Sequence, residues 1–320
     1  MDKSDLRIVF MGTPDFAVGT LKRLVEENYP VVAVITRPDR PVGRHQDRLQ
    51  APPVKIFAQA HHIPVLQPEK MKDPDFLQEL ATFKANLQIV VAFRMLPEVV
   101  WAMPEYGTFN VHAALLPQYR GAAPINWAVI NGETETGVTT FFIDKEIDTG
   151  RIILQKHFPI GIDDDVETVY DGLEKLGAEA ALETVEKILK GNGKAESIAQ
   201  DELAETTGPL KPAPKIHKEM CRINWQQSAK SIHDFVRGLS PVPGAWTTVE
   251  DKILKIYKTK LTDRDAKGEQ PGNMMVDGRQ LFVAGNDNWL EILELQPAGK
   301  RRMTSVDFIN GSHGLPEAAR

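Results

Sequence analysis

LRIVFMGTPDFAVGTLKRLVEENYPVVAVIT, residues 6–36, contains two short apolar runs separated by a turn and a segment of helical periodicity. The first run, residues 6–12, ends in a glycine, and the second, residues 31–36, follows the periodic segment. Runs that are apolar at nearly every position are typical of strands buried on both faces, which occur in parallel sheets. The stretch therefore predicts a strand, a tight turn, a helix and a second buried strand.

The same alternation continues along the chain. Strand candidates at residues 87–93 and 108–112 are preceded by segments of helical pattern, and residues 163–190 predict a long amphipathic helix. Alternating strands and helices predict an α/β fold with a parallel sheet covered on both faces. Both the dinucleotide fingerprint G-x-G-x-x-G and the Walker phosphate-loop pattern are absent after the first strand, which leaves NAD or ATP binding poorly supported.

The composition and periodicity of the sequence change after the long helix. Residues 191–207 are polar and lack a sustained period, so we expect a linker between a domain at 1–190 and a domain at 208–320. Short strand-like runs with turn signals in the second domain predict a small β-barrel or sandwich. Lys and Arg outnumber Asp and Glu there, although the whole chain has a formal net charge of −6. This uneven charge permits a polyanionic partner.

The sequence also bears on location. It has no apolar run of about 18 residues that could span a membrane. It opens without the pattern of a secretory signal peptide. The single cysteine, Cys221, cannot form an internal disulfide. We therefore expect a cytoplasmic protein with no membrane partner.

Asn110 and His112 lie two residues apart in the strand candidate 108–112. Because side chains alternate along a strand, the two can share a face. An asparagine amide can donate to a developing oxyanion, which is worth about 10²–10³ in rate elsewhere. Histidine can accept or return a proton near neutral pH. In open parallel sheets, sites form beyond the carboxyl ends of strands, where Pro117 and Arg120 indicate a fixed loop.

A histidine that acts as acid or base usually needs a carboxylate to orient it. Residues 136–150 offer Asp148, in a turn that can bend back, with Asp144 as the competitor and Glu146 between them. No serine elbow and no metal-spaced His/Cys set accompanies these residues, so no metal is expected. Such a set is compatible with direct attack of an amine on a carbonyl. A hydrogen-bonded strand end without a catalytic role explains the spacing equally well.

NVHAALLPQYRGAAPINWAVINGETETGVTTFFIDKEIDTG, residues 110–150, resembles the formyltransferase signature of N-x-H, S-L-L-P, R-G-A-x-P, G-V-T and D-T-G. The segments RIVFMGTPDFA, TRPDRPVGR, INWQQSA, VRGLSPVPGAW and LQPAGKRRM are similar to the methionyl-tRNA formyltransferase family, at intervals over nearly the whole chain. The resemblance implies a Rossmann-like, doubly wound N-terminal domain and a smaller OB-like β-barrel. It also implies 10-formyltetrahydrofolate as donor and methionyl initiator tRNA as acceptor, in translation initiation. We expect a monomer.

The resemblance also assigns roles to residues. It gives Asn110 and His112 the carbonyl oxygen of the formyl group, and Asp148 the handling of the proton. It assigns the folate to two segments, comprising Phe93, Arg94, Met95 and Leu96 in the first and Ala114, Leu115, Leu116 and Pro117 in the second. Basic residues of a loop and of the C-terminal domain are the expected tRNA contacts: Arg40, Arg44, Arg48, Lys252, Lys258, Lys260 and Arg301. The three lysines have even spacing and can lie on one strand face, where they would contact phosphates.

The chain departs from the family pattern at several positions. Ala114 stands where the family usually has serine, Glu146 and Ile147 replace a usual Gly-Leu, and Asn224 replaces an aspartate. The loop 41–55 is less basic than the family's loop.

Two other functions are compatible with parts of the sequence. A formyltransferase for a small amine, such as an amino-sugar nucleotide, would not need the basic region 208–320. A non-catalytic RNA-binding protein would not need Asn110, His112 and Asp148.

Overall fold

Residues 6–36 form the expected strand, helix and parallel strand. In a computed structural model, which describes residues 1–42, 48–311 and 318–319, β1 spans Ile8–Gly12, α1 Asp15–Glu26 and β2 Val31–Ile35. The two strands are parallel, and every residue of β1 is buried. At the end of β1 the helix passes so close that a Cβ on Gly12 would lie 2.5 Å from Cβ of Ala17.

Strands and helices continue to alternate up to residue 207. In chain order the elements are β3 Arg40–Val42, β4 Arg48–Gln50, α2 Pro53–Ala60, β5 Val65–Leu66, α3 Pro74–Thr82, β6 Leu87–Val91, α4 Glu98–Trp101, β7 Thr108–His112, α5 Pro124–Ile130, β8 Glu135–Phe142, β9 Ile152–Pro159, α6 Val166–Lys190 and α7 Gln200–Thr207. The strand predicted at 108–112 is β7, and the long helix predicted from residue 163 begins at Val166.

The first of two units comprises Met1–Gly121, Gly137–Phe158 and Tyr170–Pro212. Its seven-stranded sheet has the order β5-β2-β1-β6-β7-β8-β9, and β3 pairs with β4 in a separate hairpin. Strands β5 to β7 of this order are parallel, whereas β8 runs antiparallel to β7. The carboxyl ends of β6 and β7 therefore lie at one sheet edge, with Val90 beside Asn110.

The second unit comprises Ala122–Thr136, Pro159–Val169 and Ala213–Arg320. Its further elements are α8 Ala229–Leu239, β10 Ala245–Val249, β11 Lys252–Asp265, β12 Met274–Asp277, β13 Gln280–Ala284, β14 Asn288–Pro297, β15 Met303–Thr304 and α9 Ser305–Gly311. The strands form an antiparallel sheet in the order β10-β11-β14-β13-β12, and β15 pairs with β14. The predicted class is confirmed: a parallel-dominated sheet with helices, followed by a small antiparallel β domain.

Helix α8 carries a buried group of charges. Arg237 Nη2 lies 2.8 Å from Asp234 Oδ1, and both side chains are 6% exposed. Arg237 Nη1 also donates to the carbonyl oxygen of Asp164 at 2.8 Å. His233 Nδ1 is 2.8 Å from Thr259 Oγ1, and its burial lowers the pKa of the imidazole. The ion pair and the imidazole are tolerated inside the unit because each is paired or hydrogen-bonded.

The alternation of β11 shifts by one residue midway along the strand. Leu254 and Ile256 are buried in its first half, but Thr259 is buried in its second half. The pairing with β14 is irregular between Ile256 and Thr259. The expectation that Lys252, Lys258 and Lys260 share one face is therefore wrong. Lys252 is in phase with the buried Leu254 and Ile256, whereas Lys258 and Lys260 flank the buried Thr259 and so lie on the opposite face.

Each unit is built from several segments of the chain, since residues 122–136 and 159–169 belong to the second unit. Part of the expected linker 191–207 is helical, since α7 starts at Gln200. The domain bounds 1–190 and 208–320 stay a prediction. Among the residues that the structure describes, no helix combines the length and the apolar character needed to cross a membrane.

Candidate active site

Strand β7 holds His112 almost fully buried, with 6% of the residue exposed. Its Nε2 lies 2.9 Å from the carbonyl oxygen of Tyr119, in the loop that follows β7. Because a carbonyl oxygen can only accept, Nε2 carries a proton in this contact. The contact therefore sets the tautomer and leaves Nδ1 as the nitrogen available for chemistry.

Asp148 is the carboxylate beside that nitrogen. Its Oδ2 lies 3.8 Å from His112 Nδ1 and accepts a hydrogen bond of 3.0 Å from the backbone N–H of Gly121. A separation of 3.8 Å is too long for a direct hydrogen bond. It is short enough for one proton-bearing group of a substrate to contact both side chains.

Asp144, the competing acid, forms hydrogen bonds within the turn in which it lies. Its Oδ1 accepts from the backbone N–H of Glu146 at 3.1 Å and from the hydroxyl of Thr149 at 2.8 Å. Asp144 and Glu146 are both exposed. Of the three acids that the sequence offers, Asp148 is the one that the structure brings to His112.

The turn that carries Asp148 is closed tightly at its base. A Cβ on Gly150 would lie only 1.6 Å from the carbonyl oxygen of Phe142, so only glycine fits there. Asp148 itself has a φ of 56°, in the left-handed region that is unfavourable for residues other than glycine. Such a conformation persists only where neighbouring groups hold it.

Asn110 has an unsatisfied amide. Its Oδ1 is buried and has no hydrogen-bond partner among the described residues. The residue opposite on β8 is Phe141, whose ring is apolar. The oxygen and nitrogen of an asparagine amide are assigned from their partners, so a flip would place the NH₂ group at this position. Because a buried polar group without a partner is costly, the observation points to a ligand at this amide.

The loop after β7 is held by two polar side chains that the sequence reasoning missed. The hydroxyl of Thr139 accepts from the N–H of Leu116 at 3.1 Å and donates to the carbonyl oxygen of Ala114 at 2.6 Å. Gln155 Nε2 donates to the carbonyl oxygen of Leu116 at 2.7 Å. Thr139 is the last residue of the G-V-T motif, so the motif could have indicated a role for this residue in the sequence. Because Ala114 and Leu116 are buried, this segment offers a ligand mainly its backbone and Leu115.

The loop after β6 contains the other predicted folate segment. Met95 is 71% exposed, and Leu96 is buried. Arg94 donates from Nη1 to the carbonyl oxygen of Glu69 at 2.8 Å and from Nη2 to that of Pro68. Its guanidinium therefore anchors the loop, and burial lowers its pKa.

Two clefts open beside these loops in the first unit. One, of about 520 Å³, is lined by Met71, Lys72, Met95, Leu96, Pro97, Glu98 and Val99. The other, of about 670 Å³, adjoins the Asp148 turn and is lined by Trp101, Arg120, Asp144, Lys145, Glu146, Thr149, Arg151, Ala199, Gln200 and Asp201. Both volumes are sufficient for part of a small-molecule ligand.

The predicted basic residues lie in separate places. Arg40 and Arg48 are exposed on the β3–β4 hairpin, and Arg44 lies outside the described residues. In the second unit the exposed ones are Lys252, Lys258, Lys260 and Arg301. Lys260 Nζ is 3.8 Å from Glu291 Oε2.

Comparison with known proteins identifies the family. A family model described as formyl transferase matches residues 6–185, and one described as formyl transferase, C-terminal domain, matches residues 215–313. A structure of an N-formyltransferase from Helicobacter canadensis, in complex with folinic acid and dTDP-3-aminofucose, is 21% identical with a TM-score of 0.66. It covers 93% of this chain and 100% of its own, and it supports the fold alone.

Curated relatives are more similar. Methionyl-tRNA formyltransferase of Parabacteroides distasonis is 56% identical, over 99% of this chain and 99% of its own. The protein of the same name from Bacteroides fragilis is 54% identical, over 99% and 98% of the two chains. Identity at this level over the full length makes this chain a member of the methionyl-tRNA formyltransferase family.

Proposed function

We propose that this protein transfers the formyl group of 10-formyltetrahydrofolate to the α-amino group of methionine carried by initiator tRNA. The observation that carries the proposal is the approach of His112 and Asp148 at the end of β7, the strand that also carries Asn110. His112 Nδ1 faces Asp148 Oδ2 at 3.8 Å, and the unsatisfied amide of Asn110 lies two residues away on the same strand. The relatives named for this activity support the same conclusion.

In the reaction, the amine nitrogen forms a bond to the formyl carbon and the bond from that carbon to N10 of the folate breaks. One proton leaves the amine, and one reaches the departing nitrogen. Asn110 donates to the carbonyl oxygen as negative charge develops there. His112 donates to the same oxygen when Nδ1 bears a proton, and Asp148 accepts the proton of the attacking amine and passes it to the departing nitrogen.

The folate is assigned to the loops after β6 and β7, which comprise Phe93, Arg94, Met95 and Leu96, and Ala114, Leu115, Leu116 and Pro117. A flat reduced pterin needs hydrogen bonds at its edge and apolar walls. The backbone of both loops supplies the first, and Met95 and Leu115 the second. Thr139 fixes one loop and the Arg94 anchor fixes the other, so the two segments are ordered before a ligand binds.

The tRNA is assigned to exposed cations on both units: Arg40, Arg48, Lys252, Lys258, Lys260 and Arg301, together with Arg44. Contacts of this type neutralise phosphates and position the RNA. In this proposal residues 1–190 are the catalytic domain, 191–207 a linker and 208–320 the tRNA-binding domain of a cytoplasmic monomer.

The test is transfer of a radiolabelled formyl group from the folate donor to three acceptors: charged initiator tRNA, charged elongator tRNA and free methionine. We expect the parent to formylate initiator tRNA far faster than the other two. Asn110→Ala should lower kcat by about 10²–10³ because one oxyanion donor is lost. His112→Ala should abolish turnover and leave tRNA binding close to that of the parent.

The matched control is His61→Ala, since His61 is exposed and its ring contacts Phe57 of the preceding helix α2. It should retain the parental rate. Parental turnover by His112→Ala would refute the catalytic assignment. Equal formylation of free methionine and initiator tRNA would instead favour a transferase for small amines.

A further inference from the structure

Gln200, the first residue of α7, has a side chain aimed at the Asp148 turn. Only 3% of the residue is exposed. Its Nε2 donates to the carbonyl oxygen of Asp148 at 2.9 Å and to that of Gly150 at 2.8 Å. Its Oε1 accepts from Nε and Nη2 of Arg120 at 3.1 and 2.8 Å. The two donor hydrogens and the two acceptor lone pairs of this side chain are thus used on two neighbouring segments.

The two segments that Gln200 joins are the loop after β7 and the turn that presents the carboxylate. Arg120 precedes Gly121, whose N–H donates to Asp148 Oδ2. Gly121 therefore holds the side chain of Asp148 directly. Arg120 holds the backbone of Asp148 indirectly, through Gln200. These contacts provide the restraint that the left-handed backbone of Asp148 requires.

We propose that Gln200 is a positioning residue for the formyl transfer, acting through Asp148 alone. This inference rests on the function proposed above. By binding two carbonyl oxygens of the turn, Gln200 fixes the position of the Asp148 carboxylate relative to His112 Nδ1. A displacement of about 1 Å at such a position can cost about 10²-fold in rate. Gln200 does not need to contact either substrate to have this effect.

Glutamine is suited to this place because the side chain must donate and accept at once. A glutamate of the same shape would still accept from Arg120, and as an ion pair it would do so more strongly. An ionised carboxylate has no proton to donate, so it would repel the carbonyl oxygens of Asp148 and Gly150. Gln200→Glu therefore removes the restraint on the turn and keeps the contact that anchors α7.

The experiment measures kcat and both KM values for Gln200→Glu in the full chain, with Gln296→Glu as the control. Gln296 also donates to a carbonyl oxygen, that of Lys300, and accepts from a donor group, the hydroxyl of Tyr257, so the control makes the same chemical change elsewhere. We expect Gln200→Glu to lower kcat about 10- to 100-fold. Both KM values should stay near those of the parent, the thermal unfolding midpoint should fall because two carbonyl oxygens lose their donor, and the control should keep the parental kcat.

A double variant separates positioning from general structure. If Gln200 acts only through Asp148, the variant Asp148→Asn plus Gln200→Glu should be as slow as Asp148→Asn alone, since residues that act as a unit are not additive. Gln200→Asn, which keeps donor and acceptor on a shorter side chain, should also lower kcat.

Three results would overturn the inference. The first is a parental kcat in Gln200→Glu. The second is that Gln200→Glu lowers the kcat of Asp148→Asn by the same factor as it lowers the kcat of the parent. The third is a rise in KM without a fall in kcat. A parent that transfers no formyl group would refute the proposed function itself, and is distinguishable from all three.

Discussion

Replacing Gly150 by alanine tests whether the shape of the Asp148 turn controls the reaction. The added Cβ would lie 1.6 Å from the carbonyl oxygen of Phe142, whereas Cβ atoms essentially never approach other atoms within 3.0 Å. The two segments would therefore have to separate by about 1 Å or more, and such a displacement at a catalytic group can cost about 10²-fold in rate. This factor corresponds to about 2.7 kcal/mol of transition-state stabilisation.

The same clash also lowers stability, by about 1–3 kcal/mol for an overpacked site. Urea unfolding and single-turnover formyl transfer therefore need to be measured together on Gly150→Ala. Gly311→Ala is the control, because a Cβ there would meet no atom of the described residues within 4 Å. We expect the control to keep the parental rate and Gly150→Ala to lose about 10²-fold in single-turnover rate while folded. A folded Gly150→Ala variant with the parental rate would refute the link between turn geometry and catalysis.

Three further predictions concern the second unit and the RNA. Arg237→Met removes one partner of buried Asp234 and leaves its ion pair with Lys230, so the free energy of unfolding from urea titration should fall by about 1.5–3 kcal/mol. Arg264→Met, at an exposed ion pair, should change it by less than about 1 kcal/mol. Burial lowers the pKa of His233, so in acid the unfolded chain binds a proton that the folded chain resists. The free energy of unfolding should therefore decline as pH falls below the ordinary histidine value of about 6.5, and His233→Gln should flatten the decline. Raising the salt concentration should raise the KM for tRNA and leave that for the folate nearly constant, because only the RNA contacts release counterions. A tRNA KM independent of salt would contradict the proposed phosphate contacts.

Local patterns in the sequence were sufficient where structure depends on neighbours in the chain. The apolar runs and the helical period within residues 6–36 predict β1, α1 and β2, because burial on both faces and helical periodicity are properties of short segments. Alternation places Asn110 and His112 on one strand, and that strand is β7. The one-residue shift in the alternation of buried residues along β11 could not be predicted in this way. Its cause is an irregular pairing with β14, and a strand carries no signal for the register of its partner.

The amino-acid sequence alone thus determined the α/β class, the small β domain and the residue types of the candidate site. Tertiary structure decided which of three nearby acids meets His112, because the turn is shaped by the contact between Gly150 and Phe142 and not by the acids themselves. It also decided that Gln200, distant in the chain from both segments that it joins, holds this turn. Hydrogen bonds between distant segments depend on how the chain packs, and no local period in the sequence encodes them.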